Sequence, residues 1–427
     1  MNGQLRFRTK KPKQTDILIG ILFWIPFLFE GLTGILGFPR AVLYLSDVSW
    51  CLLLVYMLLS GRRGDLVLGI WIWLFLIYTL LTYLPQWQSP LYYLWGLRNN
   101  FRFYAAFFAF TAFLKPADVE GYWKLFDKLF WVDVLVSLYQ FFALAIEGDQ
   151  LGGLFSTETG GNGYTNIFFL IIVTKSVVFY LEKQENLGTC LAKCGAALVV
   201  AAMAELKFFF VEVILVIALA VLLTSFSWRK LAVILGGLIG VMLCAILLTS
   251  LFPGFAGWFS LEWFLEAASS DHGYTSSGDL NRLNAIPQIN ELWLKNGWQR
   301  LFGLGLGNCD TSTFALVNTP FYESYSRMHY TWISYAMMYL ETGWLGLIFY
   351  WGFFVISYFR IRRIERQSGV TGRSFCRIAR IIAVLCVGIS LYNSSLRTEA
   401  GYMAYFVLAA PFALNNQRLR LAKIKSA

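Results

Sequence analysis

The chain has 427 residues, of which 58% are hydrophobic, 18% aromatic and only 14% charged, and its mean hydropathy is +0.58. Soluble globular domains carry about 25% charged residues, so this composition excludes an ordinary soluble enzyme and indicates an integral membrane protein. The net charge of +10 does not indicate a nucleic-acid partner, because the basic residues lie in short clusters between apolar segments. This is the pattern that the positive-inside rule predicts for the cytoplasmic loops of a membrane protein.

Apolar segments long enough to cross a bilayer recur along the whole chain, since a transmembrane helix needs about 20 such residues. The pattern predicts an all-α, polytopic membrane protein with about twelve transmembrane helices and one large loop late in the chain. The predicted spans are approximately residues 17–36, 41–59, 66–84, 97–115, 122–146, 165–181, 190–204, 208–226, 231–252, 330–358, 378–396 and 402–414.

Basic clusters between the spans predict which side of the membrane each loop faces. They are concentrated in residues 1–13, in residues 360–380 and in the tail at 418–425. Because such clusters stay in the cytoplasm, we expect both termini there and residues 253–328 on the outer face. No cleavable signal is evident, so we expect the first span to remain as an anchor.

The spans indicate one integral membrane domain in three parts. Residues 1–252 contain nine spans, residues 253–328 form the large outer loop, and residues 329–427 contain three spans and a basic tail. Within the loop, segments 261–268 and 289–294 are amphipathic enough to form short helices at the membrane interface. A loop of this length in a compact protein usually carries function, so it is the first candidate region for a site.

Ionisable residues gather at the predicted outer face of the membrane. Such side chains are costly inside a bilayer unless they are paired or hydrated, which makes them candidates for function. A surplus of cations there suits a diphosphate, whose oxygens arginine can bind through two parallel hydrogen bonds. The residues in this group are Arg98, Arg102, Glu205, Lys207, Arg282, Arg327, His329 and Arg397.

Structural interpretations of the same charges stay open. Arg98 and Arg397 can reach the membrane interface along their aliphatic stems. Lys207 can form an ion pair with Glu205, and Arg282, in a polar loop, can be a hydrated charge.

His329 is the most specific of these signals, because it lies where the polar loop meets the next apolar segment. A neutral imidazole, present at a pH of about 7, can accept a proton from a sugar hydroxyl. A hydrogen-bonded histidine at the membrane interface is the structural alternative. We therefore treat His329 as the candidate general base.

Two motifs with glycine are interpreted mainly as scaffold. Glu341 is expected to be buried and hydrogen-bonded to neighbouring spans, with Gly343 and Gly346 allowing close approach of helices. The three glycines of residues 301–308 predict either a nest of N–H groups that binds an anion or a tight turn.

The order of these motifs resembles the O-antigen ligase and O-antigen polymerase superfamily of bacterial envelope polysaccharide proteins. The architecture, with about twelve spans and one large outer loop late in the chain, resembles that superfamily too. The motifs that carry the resemblance are, in chain order, Arg282, Trp298, Leu301-Phe302-Gly303-Leu304-Gly305-Leu306-Gly307-Asn308, His329 and Glu341-x-Gly343-x-x-Gly346.

The resemblance implies a GT-C-like membrane glycosyltransferase whose loop carries an essential arginine and histidine. Arg282 and His329 fall on those two positions. Lys207 stands roughly where the ligases carry a further arginine, which keeps the positive charge but loses the bidentate contact.

The implied reaction is a metal-independent, inverting transfer of a glycan from undecaprenyl diphosphate to a sugar hydroxyl. Lys207, Arg98, Arg102 and Arg327 are the candidates for binding the diphosphate or the glycan. The sequence has no P-loop and no Asp-x-Asp pair in the outer segment, so no cofactor and no metal is expected.

The sequence leaves the acceptor of this reaction open. A polymerase would use another lipid-linked repeat unit of O-antigen, capsule or exopolysaccharide, whereas a ligase would use lipid A core, a wall polymer or a protein. We favour the polymerase, because Lys207 replaces the ligase-type arginine. A non-enzymatic transporter or flippase of lipid-linked sugars is the alternative from another class.

The same resemblance implies where the protein acts and with what. We expect it in the bacterial cytoplasmic membrane with its active site on the extracytoplasmic face. Its expected partners are the bilayer, the lipid-linked donor, the glycan acceptor and other envelope polysaccharide assembly proteins, with no nucleic acid among them.

Overall fold

A computed structural model describes residues 13–62, 64–225, 227–251, 278–312 and 314–426 of the chain. The basic residues 1–12, His272 and the predicted amphipathic segment 261–268 lie outside these described residues. The described residues form helices and turns, with no β-strand among them. The predicted all-α class is therefore confirmed for this part of the chain.

Fifteen α-helices follow one another in the described part of the chain. They are α1 (Gln14–Glu30), α2 (Leu45–Leu59), α3 (Leu66–Tyr83), α4 (Pro90–Phe113), α5 (Pro116–Leu144), α6 (Asn162–Leu181), α7 (Leu187–Met203), α8 (Lys207–Leu223), α9 (Arg229–Leu251), α10 (Ala285–Leu292), α11 (Gly297–Phe302), α12 (Pro320–Tyr325), α13 (Ser334–Glu365), α14 (Val370–Tyr392) and α15 (Gly401–Ser426). Each predicted span overlaps one of the long helices α1–α9 and α13–α15, and the three short helices lie in the predicted outer loop.

Several of these helices have the length and composition of membrane spans, so the chain is a membrane protein. About 89% of the span in α6 is buried inside the protein, whereas only 11% of the span in α9 is buried. α6 is therefore a central helix, and α9 is a peripheral one whose exposed apolar side chains suit contact with lipid. Among the described residues, the six segments long and apolar enough to cross a membrane are Arg40–Leu59, Leu66–Gln86, Asn162–Leu181, Arg229–Leu247, Ser334–Glu365 and Gly372–Tyr392.

Several predicted helix boundaries were wrong by six residues or more, among them the starts of α5 and α14, at Pro116 and Val370 instead of residues 122 and 378. α4 begins at Pro90 instead of near residue 97, because Ser89 caps it by accepting a hydrogen bond from Leu91 N at 3.3 Å. Proline is favoured in the first turn, where its missing N–H needs no partner. α15 continues to Ser426 instead of ending at 414, since residues 415–426 contain neither proline nor glycine.

The predicted span 330–358 is not one continuous helix. α13 starts only at Ser334, after a 3₁₀ turn, and its backbone is interrupted at Gly343, where φ is 63°. The interruption frees the carbonyl oxygen of Thr342, which accepts a hydrogen bond from Tyr78 Oη of α3 at 2.6 Å. The neighbouring helix thus satisfies the broken backbone, as a membrane protein requires.

The segment at 289–294, predicted to form a short helix at the membrane interface, packs its apolar side chains against the protein. Ile289 and Leu294 are both 0% exposed. Tyr339 Oη of α13 donates a hydrogen bond to Asn290 Oδ1 at 2.7 Å. The apolar face of α10 is therefore covered by α13, since burial against other helices removes it from lipid and water alike.

Successive long helices alternate in direction, so their connections meet at two ends of the bundle. At one end the ion pair Arg98–Asp47, 2.9 Å between Nη2 and Oδ2, joins the first turn of α2 to the N-terminal half of α4. Residues 278–333 cover this end and hydrogen-bond to α4, and we call it the loop end. At the opposite end the ion pair Arg360–Asp65 joins α13 to the start of α3.

Candidate functional site

The segments that carry Arg282 and His329 are neighbours at the loop end. Leu280 N donates a hydrogen bond to Met328 O at 2.9 Å. Tyr335 Oη of α13 donates to Arg282 O at 2.7 Å, which fixes the arginine backbone beside the first turn of that helix. The two residues predicted as catalytic are thus placed on adjacent stretches of backbone.

Arg282 and Lys207 line one cavity, which we call cavity I. It has a volume of about 500 Å³ and lies between the start of α6, the start of α8 and the turn after α14. Such a volume is typical of a site for a small molecule or a headgroup. Residues on its wall include Asn166, Lys207, Phe209, Arg282, Trp332 and Tyr392.

An aromatic stack positions the arginine of cavity I. The Arg282 guanidinium lies 4.6 Å from the centroid of the Tyr392 ring. Tyr392 in turn stacks on Phe208, with 4.5 Å between ring centroids. A guanidinium is attracted to the face of an aromatic ring, which restricts where the side chain can lie. Arg282 therefore has a defined orientation in the wall of the cavity.

Lys207 is loosely paired in the same cavity. Its Nζ is 3.9 Å from Glu205 Oε2, at the limit of an ion pair. Burial raises the pKa of the Glu205 carboxyl above its ordinary value, and the neighbouring Asp149 and Glu147 add to this, while Lys207 opposes it. The predicted pairing of Lys207 with Glu205 is present, but it is a weak one.

His329 stands beside cavity I. It adopts a left-handed backbone with φ of 52°. Its ring stacks on Trp332, with 3.8 Å between centroids and 20° between planes. His329 Nδ1 is buried and has no hydrogen-bond partner among the described residues. Stacking covers the face of the imidazole and leaves its in-plane nitrogens to exchange protons.

A second cavity, cavity II, shares a wall with cavity I. It has a volume of about 680 Å³ and lies between the start of α4, the loop at 310–314 and the start of α15. His329 is not among the described residues that line either cavity, whereas its stacking partner Trp332 lines both. The other residues common to both walls are Glu158, Ser394 and Thr398.

Arg98 and Arg102, two of the predicted substrate-binding residues, line cavity II instead of cavity I. Arg98 is held by Asp47 in the pair described above. Arg102 Nη1 contacts Glu399 Oε1 at 2.7 Å, and Tyr164 Oη donates to the other oxygen of that carboxylate at 2.9 Å. Burial alone would raise the pKa of Glu399, but the Arg102 guanidinium holds it below its usual range. Both arginines are thus bound to carboxylates of the protein.

Arg327 is placed apart from these groups. It is exposed, in the 3₁₀ turn Ser326–Met328. It is not one of the described residues that line cavity I or cavity II. The structure therefore does not bring Arg327 together with Arg282 and Lys207.

Glu341 binds the glycine-rich loop instead of neighbouring spans, which corrects the prediction for its contacts. It is buried, with 1% exposure, and Cys309 N donates to its Oε1 at 3.2 Å. Gly305 N donates to Glu341 O at 2.9 Å. These backbone donors of the loop are thus occupied by the protein itself, so the loop is better described as a tight turn than as a nest for a ligand.

Two glycines allow this loop to enter the break in α13. A Cβ added to Gly303 would lie 2.3 Å from the backbone of Glu341, and one added to Gly343 would lie 2.4 Å from the backbone of Leu301. Gly343 therefore permits close approach of a loop, not of a helix. A Cβ on Gly346 would meet the side chain of Thr342 in the same helix at 1.9 Å, so its role is local.

The sequence did not reveal the carboxylates that pair with the arginines of cavity II, or the wall that the two cavities share. Asp310 accepts hydrogen bonds from Arg397 Nη2 at 3.0 Å and from Asn99 Nδ2 at 2.8 Å. The usable signals were Glu399, beside the outer end of a predicted span, and Asp310, inside the predicted outer loop. No pattern in the sequence singles out Trp332 from the other aromatic residues near the interface.

Comparison with known proteins adds no assignment. No protein-family model matches the sequence, and no curated protein matches it. The functional argument therefore depends on the residues of this chain and on their arrangement.

Proposed function

We propose that the protein is a membrane glycosyltransferase that polymerises lipid-linked oligosaccharide repeat units. It would transfer a glycan from undecaprenyl diphosphate to a sugar hydroxyl of another unit, in the bacterial cytoplasmic membrane. The observation that carries the proposal is the arrangement at the loop end. Two cations, Lys207 and Arg282, line one cavity, and His329, with a buried and unpartnered Nδ1, stacks on the wall of that cavity.

The proposal includes a topology with twelve spans. Six helices have the length and composition of spans, and we assign the other long helices, α1, α4, α5, α7, α8 and α15, to the membrane as well. The basic clusters then lie at the opposite end and in the cytoplasm. Cavities I and II open on the outer face, where lipid-linked glycans are available and nucleotide sugars are not. This arrangement supports a GT-C-like architecture.

The chemistry follows from the groups in and beside cavity I. The acceptor hydroxyl oxygen attacks the anomeric carbon, a new glycosidic bond forms, and the bond from that carbon to the diphosphate breaks with inversion. The hydroxyl proton passes to His329. The departing diphosphate keeps the electron pair, and Arg282 and Lys207 stabilise its developing charge. Arginine does so with two parallel hydrogen bonds, lysine as a point charge.

Ligase-type transfer to lipid A core, a wall polymer or a protein would use the same site with another acceptor. The lysine at position 207, in place of the arginine typical of ligases, supports the polymerase. A transporter or flippase of lipid-linked sugars would need the cations but would not need an unpartnered imidazole. We therefore keep both alternatives as outcomes of the test below.

Chain-length analysis of envelope polysaccharide in a deletion strain tests the proposal. We expect single repeat units in place of long chains, with long chains restored by the wild-type gene. Long chains that accumulate without attachment would contradict the polymerase and indicate a ligase. Lipid-linked units trapped on the cytoplasmic side would contradict any outer-face transferase and indicate a flippase.

A further inference from the structure

Cavity II has an aromatic wall at the loop end of α2 and α4. The centroid of the Tyr44 ring lies 6.5 Å from that of Trp95 and 5.6 Å from that of Phe314. Trp95 Nε1 donates to Thr311 O at 2.9 Å, which holds the indole in place. Phe314 is 50% exposed, so its ring is accessible from the cavity side. Rigid aromatic faces of this kind pack against the apolar C–H faces of sugar rings.

The charges of cavity II are neutralised within the protein. Four arginines line it, and each forms an ion pair with a carboxylate. A diphosphate would have to displace these carboxylates, whereas an uncharged hydroxyl can add hydrogen bonds to them without separating any charge. The pairs are Arg40–Glu158, Arg98–Asp47, Arg102–Glu399 and Arg397–Asp310.

Cavities I and II share a wall at Trp332, the residue on which His329 stacks. Trp332 lines both of them, and His329 stacks on it. In an inverting transfer the attacking oxygen and the leaving diphosphate lie on opposite sides of the anomeric carbon. Two adjoining cavities provide separate places for these two groups, and in cavity II all four arginines are already occupied by carboxylates.

We infer that cavity II binds the acceptor glycan, with Tyr44, Trp95 and Phe314 packing against its sugar rings and Asp310 accepting from its hydroxyls. The inference rests on the proposed function, because it assigns the diphosphate to cavity I. The acceptor hydroxyl then reaches the anomeric carbon past Trp332, next to His329. Specificity for the acceptor sugar is thus set by α2, α4 and the loop at 310–314, away from Arg282 and Lys207.

Binding measurements with two separate probes test this division. One probe is the repeat-unit glycan, released from the lipid by mild acid after isolation from a deletion strain. The other is undecaprenyl diphosphate alone. For the purified full-length protein in phospholipid vesicles, we expect Phe314→Ala to weaken the affinity for the glycan about tenfold and to leave the affinity for undecaprenyl diphosphate unchanged. Arg282→Ala should weaken the affinity for undecaprenyl diphosphate and leave the affinity for the glycan unchanged.

Leu316→Ala is the matched control for Phe314→Ala. Leu316 is in the same short turn, is 82% exposed and is not among the described residues that line cavity II. It should change neither affinity, and all variants should keep the thermal stability of the wild type. Glycan binding that is unaffected by Phe314→Ala, while the lipid binds through Arg282, would overturn only the assignment of cavity II. A wild-type protein that binds neither probe would overturn the proposed function as well.

Discussion

The two ends of the helical bundle both bury ion pairs, but the loop end also holds cavities I and II and the buried His329 Nδ1, which has no hydrogen-bond partner among the described residues. At the opposite end, Lys193 contacts Asp127 at 2.9 Å and Glu185 at 2.7 Å, and Lys175 shares the Asp127 carboxylate. Arg377 bridges Glu182 and Glu365 in the same way. Each of these cations therefore contacts at least one carboxylate, and two of the four carboxylates, Asp127 and Glu365, each contact two cations.

The loop end also pairs its buried arginines with carboxylates, but one group of the candidate site is left without a partner. His329 Nδ1 is buried and has no hydrogen-bond partner among the described residues. Buried polar groups are normally satisfied, so an exception is a candidate for function. This imidazole beside cavity I therefore marks the loop end as the candidate site.

The largest effect should come from removing the unpartnered imidazole. We expect His329→Gln to lower polymer formation by about 10²–10⁴-fold, because glutamine keeps a polar side chain but cannot take the proton of the acceptor hydroxyl. Chain-length analysis of a complemented deletion strain measures this, together with the amount of protein in the membrane. Normal chain lengths at normal protein level would exclude His329 as the general base.

A comparable change at the opposite end should affect stability instead. Lys193→Met leaves the carboxylates of Asp127 and Glu185 without a shared cation, and we expect a loss of about 3–5 kcal/mol in the free energy of unfolding. The thermal unfolding of the detergent-solubilised protein measures it. Lys115→Met is the matched control, since Lys115 pairs with Asp16 but is half exposed, and it should cost less than about 1 kcal/mol. Equal stability of the two variants would contradict a stabilising role for the buried ion pairs of Lys193.

Arg282→Lys tests whether the cation of cavity I makes a bidentate contact. We expect turnover to fall about 10–100-fold, because lysine keeps the charge but loses one of two charged hydrogen bonds and the stack on Tyr392. Arg300→Lys is the matched control, because Arg300 is exposed in the same loop. If both variants had the activity of the wild type, Arg282 would be an ordinary hydrated charge.

The sequence was sufficient for features that depend on nearby residues. Apolar segments of membrane-spanning length predicted the positions of the long helices, since each helix satisfies its own backbone. His329 and Arg282 were recognisable because polar residues at a membrane boundary are unusual. Because successive spans cross the membrane in alternating directions, the sequence also predicted that His329 and Arg282 lie at the same end of the bundle.

The sequence was not sufficient for features that join distant segments. Arg102 and Glu399 are paired by the packing of α4 against α15, and no local pattern connects them. The break at Gly343 exists because the turn at Gly303 enters it, which can be seen only when both backbones are in place. The division into two cavities depends on Trp332, whose position follows from the 3₁₀ turn before α13.

The smallest expected effect on binding is that of Glu205. This carboxylate lines cavity I beside Lys207 and would repel a diphosphate there. Its pKa is raised from the ordinary value by burial, with Asp149 and Glu147 adding to the shift and Lys207 opposing it. Lowering the pH through this raised pKa neutralises Glu205 and leaves the charge of Lys207 to the diphosphate. Affinity for undecaprenyl diphosphate should therefore increase as the pH falls, by about two- to fivefold.

Glu205→Gln should bind that lipid more tightly at neutral pH and lose this part of the pH dependence, since glutamine does not titrate. The difference between variant and wild type, measured over the same pH series, removes the titration of the lipid itself. An identical pH dependence in the wild type and in Glu205→Gln would show that Lys207 does not contact the diphosphate. Arg282 would then be the cation of cavity I that binds it.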